Sequence, residues 1–287
     1  MRLRALAFLS AAALFMLGAI PAQAGKEDRP YLAIGDSVAF GFSPLLNLNN
    51  ASNFIGYPEI VAKRLDLRDV NAACSGEATG GFISPTGLDN SCRAYRAAFP
   101  LHVSYSGTQL AFAVNFLKHH RNTRLVTLGL DANDFFRLST GPGTPWPPST
   151  CFVPAPANTA GLVTYFSTCA VQNLTTILSA VRGSAHYRGD LVIVLYYALN
   201  YSDPASLFVT RDLLNKAMIT AATPFKVRFA SGFDAFQAAA APFGGDSCKA
   251  GLLIVVKASP LTCDVHPTPA GRDLLAGAVV KAVGDDD

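Results

Sequence analysis

Leu191-Val192-Ile193-Val194-Leu195-Tyr196-Tyr197 is the strongest strand signal in the sequence, and it decides the fold class. The run is apolar or aromatic throughout and shows no alternation with polar residues. A strand that is apolar on both faces is typical of a parallel sheet that is covered by helices on both sides. The stretch therefore predicts a buried strand of a parallel sheet.

Shorter apolar runs and helix-period segments surround this strand. The other strand candidates are Tyr31 to Ile34, a weaker run near Val70, Leu125 to Leu128 and Lys226 to Ala230. The helix candidates are Pro58 to Leu65, Thr108 to His120, Leu162 to Val181, Ala205 to Ala221 and Pro269 to Val283. This alternation predicts a doubly wound α/β sheet, which binds its ligands outside the carboxyl ends of the strands.

The first 24 residues have the features of a secretory signal peptide. Arg2 and Arg4 precede an uncharged run from Ala5 to Ile20, and Ala22-Gln23-Ala24 has the form of a cleavage site. A membrane anchor is the alternative, but the run is shorter than the ~20 residues that a spanning helix needs. We expect cleavage near Ala24, a single domain over residues 25–287 and a secreted or periplasmic protein without an integral membrane segment.

Charge and cysteine content narrow the class of protein. The formal net charge is +3, and no block of Lys and Arg stands out, which argues against nucleic acid as a partner. All six cysteines follow the signal region, and an even count in an exported chain predicts three disulfides. Spacing favours the pairs Cys74–Cys92, Cys151–Cys169 and Cys248–Cys263. A metal site is disfavoured because the chain has no CxxC motif.

The stretch from Ser139 to Ala160 breaks the alternation of strands and helices. It contains six prolines together with Trp146 and Cys151, so it forms neither a regular helix nor a central strand. Long irregular insertions of this kind are usually functional loops or disordered segments. The cysteine favours an anchored loop.

Ser37 and His266 are the candidate nucleophile and base. Ser37 follows the first strand in Gly35-Asp36-Ser37, where a side chain points into the crevice above the sheet. A serine at that place is more often a helix cap. A hydroxyl nucleophile also needs a base, and the base needs an orienting group. The late segment Asp264-Val265-His266 offers both, with Asp264 as the orienting acid.

Two middle segments complete the candidate site. Gly76 follows the second strand candidate, and Asn133 follows the third. Both therefore lie at the same sheet edge as Ser37. The backbone N–H groups of Ser37 and Gly76 and the side-chain amide of Asn133 are suitable donors for an oxyanion hole. Taken singly, Gly76 is more often a turn residue and Asn133 a helix cap.

With these four blocks in this order, the chain resembles the SGNH, or GDSL-like, hydrolases. The blocks are Gly35-Asp36-Ser37, Ser75-Gly76-Glu77, Ala132-Asn133-Asp134 and His266-Pro267. The resemblance implies a flavodoxin-like, three-layer α/β/α fold with a five-stranded parallel sheet in the order 2-1-3-4-5. It points to the secreted bacterial esterases and lipases, which need no metal or organic cofactor.

Three positions depart from the family pattern. Asp131 stands two residues before Asn133, where the family usually has glycine. Cys263 stands three residues before the histidine, where the family usually has its acid, so either Asp264 or a backbone carbonyl orients His266. Glu77 follows the block-two glycine and has no assigned role.

The expected function is secreted hydrolysis of carboxylic esters, with acyl or lipid esters as substrates and an acyl-enzyme on Ser37. Aromatic residues near the blocks favour an apolar substrate wall, although core packing explains them equally well; they are Phe40, Phe42, Phe82, Phe135, Phe136 and Trp146. The alternatives are a carbohydrate acetylesterase, a phospholipase, a non-catalytic exported protein that binds a small ligand and, least favoured, a flavin electron carrier.

Overall fold

The computed structural model describes residues 29–140 and 157–284. Its centre is a five-stranded parallel sheet in the order β2-β1-β3-β4-β5. The strands are β1 (Pro30–Gly35), β2 (Arg68–Asn71), β3 (Leu125–Gly129), β4 (Asp190–Leu195) and β5 (Arg228–Ser231). The predicted doubly wound sheet and its strand order are confirmed.

Helices cover both faces of this sheet. The first six are α1 (Ser37–Phe40), α2 (Tyr57–Arg64), α3 (Thr79–Ile83), α4 (Cys92–Ala98), α5 (Gln109–His119) and α6 (Ala132–Thr140). Residues 159–184 form a continuous helical stretch, α7, of Thr159–Tyr165, Phe166–Ala170, Val171–Ser179 and Ala180–Ser184. Residues 204–222 form a second one, α8, of Pro204–Leu207, Phe208–Asn215 and Lys216–Ala222. The last two helices are α9 (Gly232–Ala240) and α10 (Pro269–Gly284). Three of these segments are π-helical: Phe166–Ala170 and Ala180–Ser184 in α7, and Phe208–Asn215 in α8.

The core consists of two apolar clusters, one on each face of the sheet. Leu32 and Ile34 of β1 face one cluster, which includes residues of α5, α7 and α8. Tyr31 and Ala33 face the other, which includes residues of α2, α9 and α10. Successive side chains of a strand point to opposite faces, so a strand between two helical layers must be apolar at every position. This requirement explains the unbroken apolar run of β1.

Two predicted boundaries shift in the structure. The run Leu191 to Tyr197 ends as a strand at Leu195, and Tyr196 and Tyr197 follow it as buried residues at the carboxyl edge of the sheet. The fifth strand begins at Arg228 rather than at Lys226. An apolar run indicates burial rather than strand conformation. Both tyrosines are therefore part of the run because they are buried, although they lie outside β4.

An antiparallel hairpin lies outside the sheet, and the sequence analysis did not predict it. It consists of β6 (Leu253–Ala258) and β7 (Leu261–Pro267). The helix α9 was not predicted either. Both follow β5, and the apolar run Leu252 to Val256 at the start of the hairpin was not recognised as a strand signal.

Two of the three predicted disulfides are present, Cys74–Cys92 and Cys248–Cys263. The third prediction, Cys151–Cys169, involves Cys151, which lies outside the described residues. So do the predicted signal peptide over residues 1–24, Trp146 and most of the proline-rich stretch. Within residues 29–140 and 157–284, no helix is both long and apolar enough to cross a bilayer.

Candidate active site

Ser37 is the first residue of α1, directly beyond the carboxyl end of β1. Gly35 has a φ of +146°, and a Cβ there would lie 2.2 Å from the Gly129 carbonyl oxygen, so the turn requires glycine. The Asp36 carboxylate accepts a hydrogen bond from the Val38 N–H at 2.9 Å and caps the short helix. This turn carries Ser37 to the carboxyl edge of the sheet.

Ser37, His266 and Asp264 form a hydrogen-bonded chain. The Ser37 Oγ lies 2.8 Å from Nε2 of His266. Nδ1 on the other side of that ring contacts Oδ1 of Asp264, which also accepts from the His266 backbone N–H at 3.0 Å. The fold therefore brings Ser37 and His266, 229 positions apart in sequence, into contact.

The strand conformation of β7 explains why an acid two residues before the histidine reaches its ring. Side chains at i and i+2 of a strand point to the same face, so Asp264 and His266 lie side by side. Burial raises the pKa of Asp264, but its hydrogen bonds and its attraction to His266 outweigh burial, and the net pKa is lowered. The carboxylate therefore stays ionised beside the imidazole.

Neighbouring residues hold the His266 segment in place. The Tyr197 hydroxyl donates to the Val265 carbonyl at 2.7 Å, and Nε of Arg272 donates to the Pro267 carbonyl at 3.0 Å. The ring of Phe42 packs on the His266 ring, with 4.9 Å between centroids. The Cys248–Cys263 disulfide links Cys263 of β7, the residue before Asp264, to Cys248 in the segment before β6.

Asn133, in the first turn of α6, lies beside the same site. Its Nδ2 is 3.5 Å from Oδ2 of Asp36, and its Oδ1 accepts from Nδ2 of Asn90 at 2.9 Å. Asn90 also links Asn133 to Gly76, because the Asn90 backbone N–H donates to the Gly76 carbonyl at 3.0 Å. Within the described ranges, the backbone N–H groups of Ser37 and Gly76 donate to no other residue.

A cavity of about 330 Å³ opens beside Ser37 and His266. Its wall is mostly apolar and comes from α6, from the segment after β4, from α8 and from β7. The apolar lining includes Phe135, Phe136, Tyr196, Leu199, Val209, Leu214 and Val265. A small number of polar groups, including Asn200, Asp203 and Ser206, complete it.

The aromatic wall predicted from the sequence is correct only in part. Phe135 and Phe136 line the cavity. Phe40 and Phe82 are fully buried in the core, and Phe42 packs against His266. The sequence analysis missed the contribution of α8, although that helix follows the carboxyl end of β4, where such folds place ligands.

Buried acids lie behind the serine. Burial raises the pKa of Asp36 to about 6, although hydrogen bonds from Tyr196 and the Val38 N–H oppose the shift. Burial likewise raises the pKa of Asp134 to about 6, against hydrogen bonds from Thr79 and Tyr165. Asp131 is fully buried at φ +123°, its carboxyl has no hydrogen-bond partner among the described residues, and burial raises its pKa well above the usual range.

Glu77 is buried next to the Gly76 turn. Burial, followed by repulsion from Asp89, raises its pKa to about 8. Nε2 of Gln109 donates to it at 3.3 Å and also donates to the Gly35 carbonyl at 3.0 Å. Glu77, Asp89 and Cys92 lie close enough together to suggest a metal site, but the Cys92 sulfur is bonded to Cys74 and provides no thiolate ligand.

One known family matches this chain over most of its length. A sequence model of the GDSL-like Lipase/Acylhydrolase family matches residues 33–274, which contain every block described above. The chain belongs to this family. As a GDSL-like hydrolase it is an enzyme of the esterase or lipase type. No curated protein matches the chain.

Solved structures show the same fold at low sequence identity. An alpha/beta hydrolase enzyme from the Lake Arreo metagenome is 16% identical, with a TM-score of 0.54 over 90% of this chain and 96% of that one. An acetylxylan esterase from Geobacillus stearothermophilus is 15% identical, with a TM-score of 0.52 over 90% and 95%. A lipase from a goat rumen metagenome is 13% identical, with a TM-score of 0.51 over 88% and 97%.

Proposed function

We propose that this GDSL-like hydrolase is a secreted serine esterase that cleaves acyl or lipid esters through an acyl-enzyme on Ser37. The observation that carries the proposal is the 2.8 Å contact between the Ser37 Oγ and Nε2 of His266. A hydroxyl becomes a useful nucleophile only when a base within hydrogen-bond reach removes its proton.

In the first half of the reaction, the Ser37 Oγ attacks the ester carbonyl carbon, and Nε2 of His266 takes the hydroxyl proton. Asp264 keeps the proton on Nδ1 and stabilises the resulting imidazolium. The tetrahedral intermediate then collapses. The bond to the leaving oxygen breaks, His266 returns the proton to the leaving alcohol, and the acyl group remains on Ser37.

In the second half, His266 removes a proton from water, whose oxygen attacks the acyl-enzyme. Collapse releases the carboxylic acid and restores the Ser37 hydroxyl. The oxyanion of both intermediates accepts hydrogen bonds from the backbone N–H groups of Ser37 and Gly76 and from Nδ2 of Asn133. Loss of one such donor typically lowers kcat by about 10²–10³-fold.

The cavity favours an acyl chain over an acetyl group as the acid part of the ester. A mostly apolar space of about 330 Å³ beside the nucleophile is larger than acetyl requires. Its wall of Phe135, Val209 and Leu214 gains free energy from each methylene that it buries. The alternative is a carbohydrate acetylesterase, and an acetylxylan esterase of similar fold supports it.

Export as a single domain over residues 25–287 is part of the proposal. Its support is the basic, apolar and small-residue pattern of residues 1–24 together with the disulfides Cys74–Cys92 and Cys248–Cys263. Disulfides persist mainly in oxidising compartments. Recovery of active protein in the periplasm or medium, beginning near Gly25, would support export, and retention in the cytoplasm at full length would contradict it.

Covalent labelling tests the mechanism. A fluorescent organophosphonate should label the wild-type protein, and both labelling and hydrolysis of p-nitrophenyl butyrate should disappear in Ser37→Ala. Ser206→Ala is the matched control, because Ser206 lines the same cavity and its Oγ instead accepts from the Asn200 N–H at 3.1 Å.

Ser206→Ala should retain both organophosphonate labelling and hydrolysis of p-nitrophenyl butyrate. Hydrolysis that survives in Ser37→Ala would refute the acyl-enzyme. A wild-type protein that neither labels nor hydrolyses any ester from acetyl to palmitoyl would favour the exported ligand-binding protein.

A further inference from the structure

We propose that Asn90 is a positioning residue that holds the oxyanion hole in its active geometry by orienting the Asn133 amide. The proposal rests on the proposed function, since it assigns Asn133 to the oxyanion. The motif analysis did not single out Asn90, which lies in the loop between α3 and α4.

Asn90 contacts one end of the Asn133 amide, and Asp36 lies at the other end. Nδ2 of Asn90 donates to Oδ1 of Asn133 at 2.9 Å. This contact occupies the acceptor end of the Asn133 amide and leaves its N–H₂ end directed toward Asp36, 3.5 Å away. Rotation of the amide by 180° would place two N–H₂ groups against each other, so Asn90 disfavours the inactive orientation.

The same residue is also joined to the second proposed donor. The Asn90 backbone N–H donates to the Gly76 carbonyl at 3.0 Å, and its own carbonyl oxygen would lie 2.2 Å from a Cβ at position 76. Gly76 has a φ of +84°, so glycine satisfies both the backbone conformation and the close approach. One residue therefore contacts Gly76 through its backbone and Asn133 through its side chain.

The loop that carries Asn90 is anchored on both sides of it. Oδ1 of Asp89 accepts from the Cys92 N–H at 3.0 Å and caps α4. The Cys74–Cys92 disulfide joins the same turn to the segment just before Gly76. These anchors limit the freedom of the Asn90 backbone and keep its side chain next to Asn133.

Asn90→Ala should lower kcat about two- to twelve-fold and leave KM unchanged, because this is the range that one neutral hydrogen bond typically contributes. Asn133→Ala should lower kcat by about 10²–10³-fold, because it removes a donor to the oxyanion. Asn90→Asp, which keeps the shape but lacks the N–H₂ donor, should be at least as impaired as Asn90→Ala. Asn53→Ala is the control, because its amide also donates to a carbonyl, that of Asn47, on an exposed loop.

A double-mutant cycle separates positioning from general damage. If Asn90 acts through Asn133, Asn90→Ala should have no further effect on kcat in an Asn133→Ala background. Affinity for a trifluoromethyl ketone with the same acyl chain, which places an oxyanion in the site, should fall by the same factor as kcat/KM. Thermal unfolding of each variant confirms that it is folded, and Asn90→Asp replaces Asn90→Ala in the cycle if the alanine variant is not.

The proposal is overturned by an unchanged kcat in Asn90→Ala, by a change in KM alone or by an equal loss in both backgrounds. Failure of the proposed function has a different signature. In that case Asn133→Ala or Ser37→Ala would itself leave hydrolysis intact, whatever Asn90→Ala does.

Discussion

At the residue scale, Asp264 decides how His266 is held. The sequence left two candidates, this carboxylate and a backbone carbonyl, because the usual family position of the acid is occupied by Cys263. The structure places the carboxylate against Nδ1 of His266, and the sulfur of Cys263 is bonded to Cys248.

Asp264→Ala should lower kcat by about 10²–10⁴-fold, because His266 loses both its orientation and the charge that stabilises its imidazolium form. Asp264→Asn should be comparably severe, since the amide lacks the negative charge and its N–H₂ can donate to Nδ1, which leaves the proton on Nε2 facing Ser37. Steady-state hydrolysis of p-nitrophenyl butyrate measures kcat for both variants. Asp203→Asn, which removes a carboxylate from the cavity wall away from the ring, is the control. Full activity in Asp264→Ala would assign orientation to another group.

Asp131 is poorly suited to its position. It has a φ of +123°, where side chains are strained, and its carboxyl is buried without a partner among the described residues. Glycine, which the family usually has here, would remove the backbone strain and the buried polar group together.

Asp131→Gly should therefore increase the free energy of unfolding by roughly 1–3 kcal/mol and leave kcat within about two-fold of wild type. Urea denaturation at pH 7 measures the change. Asp66→Gly is a matched comparison, because Asp66 also has a positive φ, 51°, but is exposed and has a solvated carboxyl. A loss of stability in Asp131→Gly would show that the carboxyl has a stabilising role.

At the element scale, α8 forms one wall of the cavity. This helix follows β4 and the two tyrosines, and its residues Val209 and Leu214 face the site. The serine and histidine come from other elements, so α8 is free to set chain-length preference without altering the hydrogen-bonded chain.

Val209→Trp should shorten the preferred acyl chain. A large ring in the cavity excludes methylenes, and each excluded methylene costs roughly four-fold in binding, so loss of two lowers kcat/KM on the order of ten-fold. We expect that loss with p-nitrophenyl octanoate and little change with the acetate. Ile219→Trp, on the same helix but exposed and outside the cavity, should change neither. Equal losses on both esters would mean that the cavity does not hold the acyl chain.

At the scale of the whole molecule, the site joins distant parts of the chain at one edge of the sheet. β1 and β3 end side by side, with Gly35 opposite Gly129, and deliver Ser37 and Asn133 to that edge. The hairpin of β6 and β7 brings His266 from outside the sheet. Much of this edge is buried, so carboxyl groups near it ionise at the expense of stability.

Glu77 makes the stability of the fold depend on pH. Its folded pKa, about 8, lies above its ordinary value of 4.5, so the folded state binds more protons than the unfolded one between these limits. Stability is therefore highest below pH 4.5 for this group and falls as pH rises through 8. Between pH 6 and 8, we expect Glu77 to contribute a loss of stability on the order of 2 kcal/mol.

Glu77→Gln should reduce that slope, since the amide has no charge to bury, whereas Asp212→Asn should not, because the Arg211 guanidinium lowers the pKa of Asp212 and keeps it ionised over this range. Denaturant unfolding of the three proteins at pH 6, 7 and 8 compares them. An unchanged slope in Glu77→Gln would mean that another group carries the pH dependence.

The sequence by itself determined the parallel sheet and, through the family resemblance, its strand order, and it predicted Ser37 and His266 as nucleophile and base. Buried strands and sequence blocks can be recognised from neighbouring residues alone. Because the blocks follow the strands, the carboxyl edge of a parallel sheet brings them together. Only the tertiary structure decided that β7 places Asp264 on the histidine, that α8 lines the cavity, and that Asn90 contacts Asn133. These depend on packing between side chains far apart in sequence, which no local period encodes.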